Sequence, residues 1–126
     1  MSETNPITTG SITWHDLTVP DATALRDFYT EVVGWQFQAF KMGDYEDYEM
    51  RTPGGGQTVA GICHARGENS RLPPQWLIYI TVADVDASAR RCVELGGKIL
   101  DGPRLLGKRK FCVIQDPAGA CAALIE

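Results

Sequence analysis

The two halves of the chain resemble each other, and this internal repeat constrains the fold more than any single motif does. When the 126-residue sequence is shifted by 63 positions, half its length, six residues between positions 18 and 34 fall on identical residues of the second half. Because one module of about 60 residues would be marginally stable alone, we expect two copies that fold together. The identities pair Thr18 with Thr81, Val19 with Val82, Asp21 with Asp84, Ala24 with Ala87, Glu31 with Glu94, and Gly34 with Gly97.

The start of each half carries the same secondary-structure signals. Residues 11–19 alternate between apolar and polar side chains, which is typical of a strand. Asp21 can accept the unpaired N–H groups of a helix start, and Gly34 can adopt the left-handed conformation that ends a helix. The second half repeats this plan. Residues 76–82 form the strand, Asp84 caps the helix, and Gly96 and Gly97 end it.

Helical spacing of apolar residues predicts one buried face for each helix. Three shorter strand-like runs follow each helix, and each half therefore has the order β-α-β-β-β. The polar residues 66–74, which include two prolines, look like a linker. The helix faces are Leu25, Phe28, Tyr29 and Val32, then Val85, Ala89, Cys92 and Val93; the strand-like runs are residues 36–42, 45–51, 57–65, 98–100, 110–115 and 120–125.

These elements predict an α+β fold in a single domain, residues 1–126. Two tandem βαβββ modules, at about residues 11–65 and 75–126 with the linker 66–74 between them, would form a curved, cup-shaped mixed sheet. The helices would lie on its outer face. The concave face of such a sheet is a cleft, which is a common place for a ligand site.

Composition narrows the classes of function. A net charge of −4 argues against a nucleic-acid surface, and no apolar run is long enough to span a membrane. The first ten residues have no signal-peptide core, and the cysteines do not form C-x-x-C pairs, so we expect a cytoplasmic protein with free thiols. The basic run 108–110 is interpreted as a solvated hairpin, with contact to an anionic ligand as the alternative.

The ordered set of motifs resembles the glyoxalase/bleomycin resistance protein/dioxygenase (vicinal oxygen chelate) superfamily. This resemblance covers nearly the whole chain, and it implies paired βαβββ modules that form a cup. It also implies either one divalent metal held by both modules or, in another branch, metal-free binding of a drug, and frequent homodimers. The motifs are residues 14–21 (WHDLTVPD), 28–29 (FY) and 33–35 (VGW), then 84–86 (DVD), 95–97 (LGG) and 116–119 (DPAG).

The positions where the superfamily pattern places metal ligands carry no donor groups. They fall on Trp14, on Leu77, on Ala123, and near Val59 or Gly61, where the hairpin length leaves the choice open. Indole and alkyl side chains do not coordinate a divalent ion. We therefore predict no metal and no cofactor. A site built from His15, His64 and Glu126 is the alternative, although strand alternation turns these side chains away from the pattern positions.

The predicted cup is apolar and aromatic with one carboxylate, which suits a planar or hydrophobic small molecule. Trp14 would stack on the ligand or fill the space of a lost metal. Asp16 would meet a cationic or hydrogen-bonding group, pair with a neighbouring arginine, or act as an acid or base if burial raised its pKa. The candidate ligand-binding residues are Trp14, Asp16, Thr18, Tyr48, Cys63, Leu77, Tyr79 and Cys121.

Three functions follow from this interpretation. We favour a metal-free protein that binds a small molecule, without nucleic-acid or membrane partners and as a homodimer by the family resemblance. The second is an enzyme of the same superfamily with an atypical site, either a lyase, isomerase or dioxygenase with an unusual metal site or a metal-free catalyst that uses Asp16 or Tyr79. The third is a partner module whose cleft is vestigial.

Overall fold

The computed structural model of the chain describes residues 8–126. Each half of this part has the order βαβββ, so the predicted α+β class and the module plan are confirmed. The bounds are β1 Ile12–Val19, α1 Ala22–Val33, β2 Gln36–Lys41, β3 Glu46–Arg51, β4 Thr58–His64, a 3-10 helix Gly67–Arg71, β5 Trp76–Thr81, α2 Val85–Glu94, β6 Lys98–Leu106, β7 Arg109–Gln115 and β8 Cys121–Ile125.

The described residues divide into two compact units. The first unit is residues 14–77, and the second unit is residues 8–13 together with residues 78–126. The first residues of β1 thus belong with the second half of the sequence. The predicted linker contains the 3-10 helix inside the first unit.

In the first unit the strand order is β2-β3-β4-β1, with β1 parallel to β4 and β3 antiparallel to both of its neighbours. Helix α1 begins as predicted, because the Asp21 carboxylate accepts the Ala24 N–H at 3.0 Å, and it ends at Gly34, whose φ is +86°. The core contains Leu17, Val19, Ala22, Tyr48, Met50, Ala60 and Ile62.

The predicted apolar face of α1 is partly wrong. Leu25 and Tyr29 pack against the core, but Phe28 is 53% exposed and Val32 is 64% exposed. Helical spacing specifies which residues share a stripe, but the width of the stripe that becomes buried depends on the sheet beneath it.

In the second unit the strand order is β5-β8-β7-β6, and backbone hydrogen bonds join Gly10 and Ser11 to Thr81 at 2.7 and 2.8 Å. Asp84 caps α2 by accepting the Ala87 N–H at 3.1 Å. Val85 and Ala89 bury one face of α2, whereas the predicted Val93 is exposed.

Strand β6 is longer than predicted. It runs from Lys98 to Leu106, whereas the predicted strand-like run ended at residue 100. Its pairing with β7 changes register between Ile99 and Asp101 and again between Asp101 and Arg104. At such irregularities a strand can include Gly102 and Pro103, which do not fit a regular hydrogen-bonded ladder. Within residues 8–126, neither helix is long and apolar enough to cross a membrane.

Candidate functional site

The parallel pair of β1 and β4 places a small group of side chains on the side of the strands away from α1. Leu17 and Val19 pack in the α1 core, so alternation directs Trp14, Asp16 and Thr18 to the opposite side. Asp16 lies opposite Gly61 and Thr18 opposite Cys63 in the register of the pair. We call Trp14, Asp16, Gly61 and Cys63 the Asp16 face.

Gly61 provides the space that the Asp16 side chain occupies. A Cβ atom at this position would stand 2.2 Å from Asp16 Oδ1 and 3.4 Å from Trp14 Cζ2. The carboxylate and the indole therefore lie directly over the glycine backbone. Any larger residue at position 61 would displace the Asp16 carboxylate or the Trp14 indole.

The Asp16 carboxylate accepts hydrogen bonds only from uncharged donors among its contacts in the described chain. The Trp14 indole N–H donates to Oδ1 at 3.3 Å, and the Cys63 thiol lies 3.7 Å from both oxygens. The pKa of Asp16 is raised to about 6, chiefly by burial and to a smaller extent by the negative charge of Asp47. The hydrogen bonds from Trp14, Cys63 and Thr18 act in the opposite direction.

Cys63 is held as a thiol. Burial is the largest cause that raises its pKa, followed by the charges of Asp16 and Asp47. A protonated thiol can donate to Asp16 but is a poor nucleophile. The surroundings of Cys63 therefore suit a packing residue better than a nucleophile.

Asp47 on β3 was not recognised from the sequence. It is 2% exposed, and its carboxylate accepts the His64 backbone N–H at 2.8 Å. The sequence offers one signal for it. Asp47 is next to Tyr48 in β3, so its side chain lies on the side of the strand opposite to that of Tyr48. Asp47 contributes negative charge near the Asp16 face, as its effect on the pKa of Asp16 indicates.

Tyr48 lies apart from this group, and its predicted place in the ligand site is not where the structure puts it. Its hydroxyl is 2.7 Å from Thr23 Oγ1, and the Arg26 guanidinium lies 4.9 Å from its ring centroid. Both partners belong to α1. The register that pairs Tyr48 with Ile62 directs the ring into the α1 core.

The corresponding strands of the second unit carry a different set of side chains. Tyr79 on β5 lies opposite Ala123 on β8, and its ring is parallel to that of Phe111 at 6.3 Å. The Arg104 guanidinium lies 4.7 Å from the Phe111 ring centroid and pairs with Asp101 at 2.9 Å. We call Tyr79, Ala123, Phe111, Arg104 and Asp101 the Tyr79 face.

The remaining predicted site residues lie on β5 and β8. Leu77 is buried at the end of the first unit, and Cys121 is partly buried at the start of β8 in the second unit. Of the eight candidates, the structure brings together Trp14, Asp16, Thr18 and Cys63 in the first unit.

Strand register resolves which residue of β4 corresponds to Ala123. Asp16 lies opposite Gly61 as Tyr79 lies opposite Ala123, and Asp16 and Tyr79 are 63 positions apart, the spacing of the repeat. The four pattern positions are therefore Trp14, Gly61, Leu77 and Ala123. None carries a metal donor, and within residues 8–126 no group of three or more His, Cys, Asp and Glu side chains is placed to hold an ion. These residues do not fit a resident divalent metal.

The alternative metal set is not assembled. His15 Nδ1 lies 3.3 Å from the Val59 carbonyl, and His64 Nδ1 lies 2.8 Å from the Glu46 carbonyl. The two histidines are four strand positions apart across the β1–β4 register, roughly 13 Å. Glu126 accepts the N–H of Val85, the first residue of α2, at 2.6 Å.

Comparisons with known proteins agree on one family. Residues 11–122 match the family model described as the Glyoxalase/Bleomycin resistance protein/Dioxygenase superfamily. The protein named "Putative glyoxylase CFP32" of Mycobacterium tuberculosis is 32% identical over 91% of this chain and 45% of its own length. The anthracycline biosynthesis protein DnrV of Streptomyces peucetius is 28% identical over 91% of this chain and 46% of its own. The chain thus spans less than half the length of these curated relatives.

Among solved structures, methylmalonyl-CoA epimerases have a similar fold. The Streptomyces coelicolor enzyme, in complex with 2-nitronate-propionyl-CoA, superposes with a TM-score of 0.54 at 19% identity, over 94% of this chain and 97% of the other. The Mycobacterium tuberculosis enzyme gives a TM-score of 0.54 at 17% identity, over 96% and 92%. At these identities the similarity concerns the fold alone.

Proposed function

This chain belongs to the glyoxalase/bleomycin resistance protein/dioxygenase superfamily, and we propose that it binds a small planar molecule on the Asp16 face without a resident metal. The observation that carries the proposal is the packing of Trp14 and Asp16 over Gly61, at a position where the superfamily pattern expects a ligand to the metal. An indole and a carboxyl group take the space that a coordinating side chain would need.

The two side chains of this face favour a ligand with an aromatic body and a polar group. The Trp14 indole is a large flat surface suited to stacking. The Asp16 carboxyl is partly buried and has no cationic partner among its contacts in residues 8–126. A ligand that carries a protonated amine would supply that partner, and pairing would offset the desolvation of the carboxylate.

The raised pKa of Asp16 gives this proposal a pH signature. A protonated amine pairs only with the ionised carboxylate, and the pKa of Asp16 is about 6. The ionised fraction rises by about tenfold between pH 5 and pH 7 at such a pKa. We therefore expect an aromatic amine to bind about tenfold more tightly at pH 7 than at pH 5, while its neutral analogue binds equally at both.

The test of ligand binding uses a panel of aromatic amines and their uncharged analogues, with affinity measured by calorimetry. Trp14→Leu is expected to weaken both kinds of ligand, because it removes the stacking surface. Asp16→Asn is expected to remove the preference for amines and its pH dependence. Phe40→Leu, a change on the exposed β2 strand, serves as the matched control. Equal affinity of amines and analogues for the unaltered protein contradicts the proposal.

The metal-free state is tested first by elemental analysis and by melting curves with nickel, zinc, iron(II) and manganese. A metal that binds only the folded protein must raise the melting temperature. We expect no stoichiometric metal and no shift. A stoichiometric metal whose stabilisation disappears in His15→Ala or His64→Ala would overturn this part of the proposal and favour an atypical metal enzyme.

The second candidate is a metal-free enzyme of the same superfamily, and the raised pKa of Asp16 favours it. A base with a pKa near the working pH is suited to removing a proton from carbon. In such a reaction the Asp16 carboxylate would take the proton next to a carbonyl group, and the carboxylic acid would return it. Incorporation of solvent deuterium into methylmalonyl-CoA or a related thioester, lost in Asp16→Asn, would select this candidate over simple binding.

The family resemblance also motivates two expectations about the protein in the cell. We expect a homodimer, so light scattering coupled to gel filtration should give twice the 13.8 kDa mass of the chain. We also expect a cytoplasmic location, which fractionation of the source cells tests. A monomer at micromolar concentration would remove the first expectation without affecting the Asp16 site.

A further inference from the structure

The first unit contains a pocket on the opposite side of β1 from the Asp16 face. It has a volume of about 350 Å³ and is lined by His15, Trp35, Val59, Ala60 and Trp76. His15 alternates with Trp14 and Asp16 along the strand and therefore points away from them. We call these five residues the aromatic pocket.

We propose that the aromatic pocket is a second small-molecule site, for an uncharged planar aromatic molecule that carries one hydrogen-bond donor, such as a phenolic hydroxyl or an aromatic N–H group. This inference does not depend on the proposed function of the Asp16 face, because the two sets of lining residues share no member.

The walls of the pocket are held in place by contacts with each other. The rings of Trp35 and Trp76 meet at 78° with centroids 5.9 Å apart, and those of Tyr29 and Trp76 meet at 79° and 5.4 Å. The Trp76 indole N–H donates to the Tyr29 hydroxyl at 2.9 Å. Edge-to-face packing and this hydrogen bond restrain the rings, so a ligand need not order them when it binds.

The chemistry of the lining selects an uncharged aromatic ligand. Indole rings, Val59 and Ala60 form the lining apart from one imidazole. A charged ligand would lose its hydration here without gaining an ionic partner. The volume lies at the lower end of the range of about 300–1,000 Å³ that small-molecule pockets occupy. A molecule of one or two fused rings is therefore the expected size.

His15 supplies the hydrogen-bonding specificity. Its Nδ1 lies 3.3 Å from the Val59 carbonyl oxygen, and a carbonyl can only accept, so Nδ1 carries the proton in this contact. The Nε2 atom of the neutral ring is then an acceptor. An acceptor on a side chain that lines an otherwise apolar pocket favours a ligand that donates one hydrogen bond, and disfavours a ligand that can only accept.

The experiment compares 2-naphthol with 2-methoxynaphthalene on the full chain. The two probes have the same fused rings, but only the first can donate. Binding is followed by the NMR signals of the indole N–H groups. We expect 2-naphthol to shift the signals of Trp35 and Trp76, and to bind about fivefold more tightly than the ether, the weight of one hydrogen bond. Absent shifts, or equal affinity of the two probes, would overturn the proposal.

Three variants locate the effect. His15 is exposed, so His15→Phe should fold normally and abolish the preference for 2-naphthol while both probes still bind. His15→Gln keeps an acceptor and should retain part of the preference. Asp16→Asn should leave both affinities unchanged. If Asp16→Asn weakens 2-naphthol and His15→Phe does not, the probe binds at the Asp16 face and the aromatic pocket is not a site.

Discussion

The Asp16 face and the Tyr79 face lie on corresponding strands of the two modules, but their side chains make different kinds of contact. Asp16 lies opposite Gly61, and Tyr79 lies opposite Ala123 at the repeat-related position. Tyr79 packs parallel to the ring of Phe111 within its own unit. Asp16 instead rests over a glycine and carries a raised pKa.

Their carboxylates show the same contrast. Asp101 of the second unit is buried and paired with Arg104 at 2.9 Å, which is how a buried carboxylate is ordinarily accommodated. Asp16 is partly buried, and its hydrogen-bond donors among residues 8–126 are uncharged. Within residues 8–126 no cation contacts Asp16, and carboxylates with such perturbed surroundings are enriched at functional sites. The two corresponding faces therefore differ in how a carboxylate is accommodated, with an arginine in the second unit and with uncharged donors in the first.

The largest expected difference between the faces is in packing. Phe111 is fully buried on the Tyr79 face, where it contacts both Tyr79 and Arg104. We expect Phe111→Ala to lower the free energy of unfolding by about 3–5 kcal/mol, as for other buried aromatic residues. Phe37→Ala, at an exposed site on β2, is the matched control and should cost much less. Similar losses for both in urea denaturation would show that the Tyr79 face is not a packed core.

The next effect concerns the charge of Asp16. Its pKa is raised from 3.8 to about 6, so the folded state holds a proton that the unfolded chain has already lost between these pH values. The stability that protonated Asp16 contributes is thus fully present below about pH 4, and it is lost as the pH rises through the folded-state pKa of about 6. Asp16→Asn removes this loss. Its free energy of unfolding, relative to that of the unaltered protein, should therefore rise by about 2–3 kcal/mol as the pH increases from 4 to 7.5.

This gain is measured by urea denaturation of both proteins across the pH range. Asp44→Asn, which alters an exposed carboxylate, is the control and should produce no such divergence. Parallel stability profiles for Asp16→Asn and the unaltered protein would mean that Asp16 is better solvated than its contacts indicate.

A smaller effect tests the glycine beneath the carboxylate. Gly61→Ala places a methyl group 2.2 Å from the present position of Asp16 Oδ1, and we expect a loss of about 1–2 kcal/mol from this overpacking. The double variant with Asp16→Ala should recover most of that loss, since the clash is with that side chain. An additive double-mutant cycle in chemical denaturation would contradict the contact.

The smallest effect checks the place of Tyr48. Its hydroxyl hydrogen-bonds to Thr23 on α1, so Tyr48→Phe should cost about 1 kcal/mol of stability and leave binding at the Asp16 face unchanged. Thr23→Val is the reciprocal variant and should cost a similar amount. A large change in ligand affinity with unchanged melting temperature would return Tyr48 to the ligand site.

Local signals in the sequence predicted local structure well. Asp21 and Asp84 cap the two helices as expected, and Gly34 ends the first in the left-handed conformation. Each of these interactions joins residues within a few positions of one another, so the information is contained in a short stretch of chain. The extension of β6 past residue 100 was missed because its pairing partner on β7 lies farther along the chain.

The sequence by itself determined the repeat, the order of elements, the family and the absence of metal donors at the pattern positions Trp14, Leu77 and Ala123, because each depends on residue identity and spacing along the chain. Only the tertiary structure decided that Gly61 is the cradle of Asp16, that Tyr48 faces α1, and that His15 joins Trp35 and Trp76 in a pocket. Strand register determines which side chains come together, because a shift of one residue moves every side chain of a strand to the other face of the sheet. The burial that raises the pKa of Asp16 arises in the same way, from residues distant in sequence that exclude water from one carboxylate.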